Sequence, residues 1–153
     1  MTSSFLDTKN PALGVLLCGH GSRNKIAVGE FANLANSLNA SLPGLDLEYG
    51  YLEFARPVLS EALDRLRQKS IQKVIAIPAM LFAAGHAKND IPSLLKAYSS
   101  ETGLDIEYGR ELGINNLMIG AAGARIQEVL SNAPHVSPSE TLLVLSNAPH
   151  VSP

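Results

Sequence analysis

The sequence predicts an α/β fold: a mainly parallel four-stranded sheet with helices on both faces. Three observations point there. Short apolar runs alternate with longer amphipathic stretches along the chain, the order expected of βαβ units. The apolar runs carry little polar alternation, as suits strands covered on both faces. Glycine- and proline-rich breaks separate the segments at strand and helix lengths.

The elements follow in order. Ala12 to Cys18 (ALGVLLC) is a continuous apolar run of strand length, closed by Gly19-His20-Gly21-Ser22. From Asn24 to Leu42, the residues Ile26, Val28, Phe31, Leu34, Ala35 and Leu38 recur with helical spacing. Pro43-Gly44 ends that helix. Leu45 to Leu52 alternates as a strand does. Pro57 falls at the first position of the next helix, whose apolar stripe is Val58, Leu59, Ala62, Leu63 and Leu66. Lys73 to Pro78 (KVIAIP) reads as a buried strand. A helix over Ile91 to Ser99, with Pro92 in its first turn, a strand at Leu104 to Tyr108 and a helix from Asn115 to Leu130 complete the pattern. Thr141 to Leu145 starts a fifth strand.

Length and composition bound the function. The 153 residues amount to one domain, with 46% hydrophobic and 17% charged residues, as in an ordinary globular protein. A formal net charge of -2 gives no footprint for nucleic acid. Aromatics at 5% weaken any reading built on stacked bases. No apolar run is long enough to span a bilayer, so no membrane partner is expected. The polar N-terminus lacks a secretory signal, and a cytoplasmic location is the expectation. With Cys18 alone, no internal disulfide forms.

The octet Ser-Asn-Ala-Pro-His-Val-Ser-Pro occurs at 131–138 and again at 146–153. Two short copies at one end do not make a solenoid. The expected organisation is a flexible N-terminus at 1–11, an α/β lobe at 12–145 and an irregular repeated tail at 146–153. His135 and His150, inside the repeats, carry little functional weight.

Three segments carry the chemistry, each at the carboxyl end of a predicted strand, where open α/β sheets bind ligands. Cys18-Gly19-His20-Gly21-Ser22-Arg23 follows the first. Its glycines admit a tight turn and a bulky ligand, and the amides of Gly21 and Ser22 lead into a helix N-terminus suited to carboxylates. The bland alternative is a turn whose histidine bonds only the backbone. Tyr51-Leu52-Glu53-Phe54-Ala55-Arg56-Pro57 follows the second strand. Glu53 there completes a weak metal site or accepts protons; alternatively it is a first-turn charge on the next helix. Phe82 to Pro92 follows the third and carries His86, Lys88, Asn89 and Asp90. Its alternative is a helix cap in which Asn89 or Asp90 serves the first turn. A neutral imidazole ligates iron, cobalt, nickel or zinc, and two from neighbouring loops hold one ion with positions left open. Cys18 reads as a small core residue rather than a ligand.

The patterns Gly-His-Gly-Ser-Arg, Tyr-Leu-Glu-Phe-Ala-Arg-Pro and Ile-Pro-x-x-Leu-Phe-Ala-Ala-Gly-His-x-Lys-Asn-Asp-Ile-Pro together resemble the sirohydrochlorin chelatases, the cobalt- and iron-inserting enzymes of cobalamin and sirohaem synthesis. The resemblance runs from about Leu13 to Leu130. It implies a flavodoxin-like, chelatase-like three-layer lobe, used twice around a tetrapyrrole cleft, either within one chain or in a homodimer. It implies metal binding by His20 and His86, with Glu53 beside them, and no nucleotide. It also implies that the divalent metal, Co2+ or Fe2+ and by donor type also Ni2+, is a substrate.

The expected chemistry follows from this. His20, His86 and Glu53 are the catalytic candidates, with His20 and His86 as metal ligands. Gly21, Ser22, Arg23 and Lys88 are the candidates for holding the carboxylates of the tetrapyrrole. Metal capture weakens as pH falls, because protons compete for the imidazoles. Competing expectations are a metal or tetrapyrrole carrier, an inactive half-lobe of a two-lobed chelatase, and a hydrolase using His20. The last lacks a Gly-x-Ser-x-Gly elbow, and nucleotide-binding loops are absent after the first strand.

Overall fold

The structure, a computed structural model of the chain, describes residues 13–82 and 84–132. The predicted strand at Thr141 to Leu145, His135, His150 and the second octet lie outside the described residues. The chain divides into two compact units, Met1–Gly113 and Ile114–Pro153.

The first unit holds four strands: β1 (Leu13–Gly19), β2 (Asp46–Tyr51), β3 (Lys73–Pro78) and β4 (Asp105–Tyr108). They form one sheet in the order β2-β1-β3-β4, and every pairing is parallel. The connections are α1 (Lys25–Ser41), α2 (Leu59–Gln68) and α3 (Ile91–Thr102), with a wide helical turn, His86–Asp90, leading into α3. The chain leaves β1 in one direction to reach β2, then crosses back to β3. That reversal puts a crevice at the carboxyl ends of β1 and β3.

Side chains of β1 alternate between the two faces of the sheet. Leu16 and Cys18 join a core with Leu59, Ala62, Leu63 and Leu66 of α2, Val74 and Ala76 of β3, and Ile91 and Leu95 of α3. All four α2 residues are fully buried, and each leucine contributes roughly 1.5–3 kcal/mol by leaving water. The α2 stripe lies where the sequence puts it, but the helix starts two residues after Pro57. Val58 is its N-cap, and the Val58 N–H donates to Glu61 Oε2 at 3.0 Å. The Arg56–Pro57 peptide is cis.

On the other face, only part of the apolar stripe predicted for α1 is covered. Ala35 is buried, while Ile26 and Leu34 are 73% and 51% exposed. Phe31 and Ala35 stand one turn apart on the edge facing the sheet, and Phe31 stacks against Tyr49 and Tyr51 at ring-centroid distances of 5.9 and 5.1 Å. Ile26 is rotated away from that edge by the 3.6-residue period. Asn24 caps α1, its Oδ1 accepting the Ile26 N–H at 2.9 Å.

α3 runs three residues beyond the predicted Ser99 and ends at Gly103, whose φ of 75° suits glycine. The second unit contributes α4 (Asn116–Asn132), on which Leu117, Ile119, Ile126, Val129 and Leu130 are exposed.

Candidate metal centre

The hydrogen-bond ladder of the sheet continues past the strand ends and ties the functional loops together. Gly19 pairs with Tyr51 at the end of β1 and β2. One step further the Leu52 N–H donates to Gly19 O at 2.8 Å, and the Glu53 N–H donates to His20 O at 3.0 Å. On the other side of β1 the Ala79 N–H donates to Cys18 O at 2.8 Å. His20 and Glu53 are therefore held by backbone bonds rather than by long, free loops.

Gly21 makes this crossing possible. Its φ is 98°, a left-handed value that side chains disfavour. A Cβ at this position would stand 1.7 Å from Glu53 O, so no other residue fits without separating the loops.

Three side chains converge above the crevice. His20 Nε2 lies 3.3 Å from Glu53 Oε1. The rings of His20 and His86 meet edge to face, with centroids 4.5 Å apart. One ligand atom from each of His20, Glu53 and His86 falls within 4.8 Å of the others. Metal–nitrogen bonds are about 2.1 Å long, so sharing one ion asks the donors to close by about 1 Å. The side chains of His20, Glu53 and His86 are 39%, 39% and 45% exposed. A ligand can therefore reach them from solvent.

The contacts of the ring nitrogens bear on which of them can face a metal. His20 Nδ1 lies 3.1 Å from Gly21 O. A carbonyl oxygen only accepts, so this bond forms in the tautomer protonated on Nδ1, which leaves the Nε2 lone pair for a ligand, while Glu53 Oε1, 3.3 Å from Nε2, is an acceptor that favours the other tautomer. His86 Nδ1 lies 2.6 Å from Asp90 Oδ2, which puts the proton on Nδ1 and leaves Nε2 for a ligand. A carboxylate behind the imidazole is the arrangement that orients and strengthens histidine ligands in metal sites.

Asp90 is thus not the helix cap weighed as an alternative. It occupies the N-cap position of α3, but its side chain caps nothing and goes to His86 four residues back. Glu53 is not a first-turn charge either, because that place in α2 belongs to Glu61. The turn bearing His86 is anchored from β4, where the Tyr108 hydroxyl donates to Ala87 O at 2.8 Å. Burial pushes the Tyr108 hydroxyl up to about 12, so it stays a donor throughout the neutral range. Sequence reasoning did not find this anchor.

The remaining candidates take distinct places. The Ser22 hydroxyl accepts the Asn24 N–H at 3.0 Å and so shapes the turn into α1. The Arg23 guanidinium lies over the Phe54 ring, 4.9 Å from its centroid. Lys88 is exposed on the turn between His86 and Asp90. Cys18 is in the core, its thiol pushed up to about 12 by burial, and stands outside the site.

The CbiX family model matches residues 14–129. The chain belongs to the CbiX family of sirohydrochlorin chelatases. It is 34% identical over 126 residues to a sirohydrochlorin cobaltochelatase of Sulfurisphaera tokodaii, covering 78% of this chain and 96% of that one. It is 28% identical over 116 residues to a sirohydrochlorin ferrochelatase of Bacillus subtilis, covering 75% of this chain but only 44% of that one. Among solved structures, the Bacillus subtilis chelatase SirB with Fe3+ superposes with a TM-score of 0.73 at 27% identity, over 80% of this chain and 48% of SirB. A CbiX protein of Marinobacter aquaeolei shares the fold, with a TM-score of 0.69 at 23% identity, over 79% of this chain and 99% of that one. The chain thus spans nearly the whole of short relatives and about half of long ones. The predicted α/β chelatase fold and the chelatase class both hold.

Proposed function

We propose that this chain inserts a divalent metal ion, cobalt or ferrous iron, into a sirohydrochlorin-type tetrapyrrole. The observation that carries the proposal is the convergence of His20, Glu53 and His86 to within 4.8 Å at the crevice. The metal is a substrate here, captured by the Nε2 atoms of His20 and His86 with Glu53 as a weak third donor. Two imidazoles and a carboxylate also accept nickel. The names of the relatives, cobaltochelatases and a ferrochelatase, favour the first two metals.

Insertion replaces two pyrrole N–H protons by one divalent ion. The carboxylate of Glu53, 3.3 Å from His20 Nε2, accepts a proton as the metal leaves the histidines, and a freed imidazole takes the second. Arg23, Lys88 and the amides of Gly21 and Ser22 hold the peripheral carboxylates of the macrocycle. No nucleotide enters this scheme. The lobe at 12–145 works as one half of a two-lobed cleft, the other half coming from a second copy in a homodimer. A two-fold dimer presents the same surface to itself.

The test is anaerobic insertion of Co2+ or Fe2+ into sirohydrochlorin, followed by absorbance, with wild type beside His86→Ala and His20→Ala. The expected result is a rate above the spontaneous reaction in wild type, lost in both variants. A wild-type chain that binds metal without accelerating insertion is a carrier or an inactive half-lobe. Variants with unchanged rates refute the assignment of the histidines.

A further inference from the structure

Phe54 stands at the rim of the metal centre in a conformation that folding alone does not explain. Its φ is 63°, which is an outlier for a bulky side chain. The Ala55 N–H donates to Glu53 O at 2.8 Å, closing a three-residue turn with Phe54 at its centre. A γ-turn with a positive central φ is rare and strained. Glycine or asparagine would fit this turn with less strain.

The ring does not compensate by packing into the core, for the residue is 51% exposed. Its neighbours are instead those of the site. The His20 ring lies 6.1 Å away, centroid to centroid, and the Arg23 guanidinium lies 4.9 Å from the Phe54 centroid. Strain held at an exposed position beside candidate ligands is the pattern of a residue kept for binding.

We propose that Phe54 is a macrocycle-binding residue: its ring forms an apolar wall for the tetrapyrrole beside His20, and it poises Arg23 for a peripheral carboxylate. The ligand class this recognises is a flat, conjugated ring bearing carboxylates. Phe54 supplies the offset-stacked or edge contact. Arg23, held over the aromatic face as a cation–π partner, keeps its forked donors for the carboxylate. The inference rests on the chelatase reading and adds to it the residue that places the macrocycle relative to the histidines.

The test compares wild type with Phe54→Asn and Phe54→Tyr. Asparagine accepts the positive φ but removes the ring, whereas tyrosine keeps the ring. Three readouts are taken: the dissociation constant of metal-free sirohydrochlorin by fluorescence, the dissociation constant of Co2+ alone, and Tm. For Phe54→Asn the expected results are roughly tenfold weaker sirohydrochlorin binding, an unchanged Co2+ constant, and a Tm unchanged or raised as strain is relieved. Phe54→Tyr should bind sirohydrochlorin as wild type does. Unchanged sirohydrochlorin binding in Phe54→Asn overturns the proposal. So does a parallel loss of Co2+ binding and Tm, which would mark a structural role. A wild-type chain that binds Co2+ but no sirohydrochlorin overturns the chelatase reading itself, a separate outcome seen before any variant is made.

Discussion

Removing the carboxylate behind His86 tests whether the candidate metal centre is preorganised or merely assembled from nearby donors. Asp90 Oδ2 lies 2.6 Å from His86 Nδ1, with the two side chains 55% and 45% exposed. At that exposure the His86–Asp90 contact itself adds at most about 1 kcal/mol to stability, so Asp90→Ala should fold normally. The expected effect is on metal affinity. Without Asp90 the imidazole is free to take either tautomer, a factor of about two. Its χ1 is free to sample about three staggered wells. Together these lower the competent population about sixfold, and loss of the carboxylate's electronic push adds a little more. The result is roughly tenfold weaker Co2+ binding, the lower end of the range for such outer partners, or about 1.4 kcal/mol. Asp90→Asn keeps an acceptor for the Nδ1–H and should recover to within about threefold of wild type, since the tautomer is restored. The assay is an anaerobic Co2+ titration read in the visible ligand-field bands, which report the donor set as well as the affinity. Wild-type affinity in Asp90→Ala would refute the reasoning. Asn as damaging as Ala would show that the charge matters and the orientation does not.

Other expectations follow from the same geometry. Gly21→Ala drives a Cβ to 1.7 Å from Glu53 O, so it should cost roughly 3 kcal/mol or more in urea unfolding and abolish Co2+ binding as the loops separate; retention of both properties would show that the crossing is dispensable. Tyr108→Phe removes the hydroxyl bond to Ala87 O and should cost about 1 kcal/mol, with Co2+ affinity falling a few-fold because the His86 turn loses its anchor. Burial pushes the Glu48 carboxyl up, but hydrogen bonds and charge from Arg65 and Lys69 outweigh it and hold the group below its ordinary value. Its contribution is therefore present above the unfolded-state pKa and is lost as pH falls through the lowered folded-state value. Glu48→Gln should lose about 1 kcal/mol near neutrality, discounted for the partly exposed Arg65 and Lys69, and the difference from wild type should vanish in strong acid when urea unfolding is compared at both pH values.

The strands were the most legible part of the fold. Lys73–Pro78 matches the prediction at both ends, and β1 is displaced by one residue, because fully covered parallel strands read as unbroken apolar runs. The convergence of the candidate site was legible at the level of loops for a related reason. Parallel strands deliver all their carboxyl ends to one edge, so residues following β1, β2 and β3 had to meet there. Side-chain partners were less legible. Asp90 was a reasonable helix cap by sequence, and its choice of His86 depends on the wide turn His86–Asp90, which has no clear sequence sign. The spacing of four residues was the available hint. The α1 stripe was misleading because helical periodicity marks apolar positions without saying how many a particular sheet covers. The positive φ of Phe54 had no signal at all, since the sequence there lacks the glycine or asparagine that usually announces one.

A chelatase faces a requirement that a metalloenzyme with a resident ion does not: it must hold the metal well enough to place it and weakly enough to surrender it. Under the proposed function, the geometry meets both halves by separating rigidity of position from strength of ligation. Position is fixed by backbone bonds from Glu53 to His20 and from Leu52 to Gly19, by Asp90 behind His86, and by Tyr108 beneath the turn. Ligation by the proposed set would be weak because His20, Glu53 and His86 offer only three donors, each 39–45% exposed, fewer than a closed structural site provides. The buried thiol of Cys18, one strand residue from the loop, is kept out of the set. A soft thiolate there would deepen the well the ion must climb out of. An ion held by these three donors alone would keep coordination positions for the ring nitrogens, and a metal–nitrogen bond could then form before an imidazole is released. On this argument, adding a strong fourth protein ligand beside His20 would raise metal affinity and lower the insertion rate together. A chain optimised for storage would show the opposite priority, with its donors buried and its coordination closed.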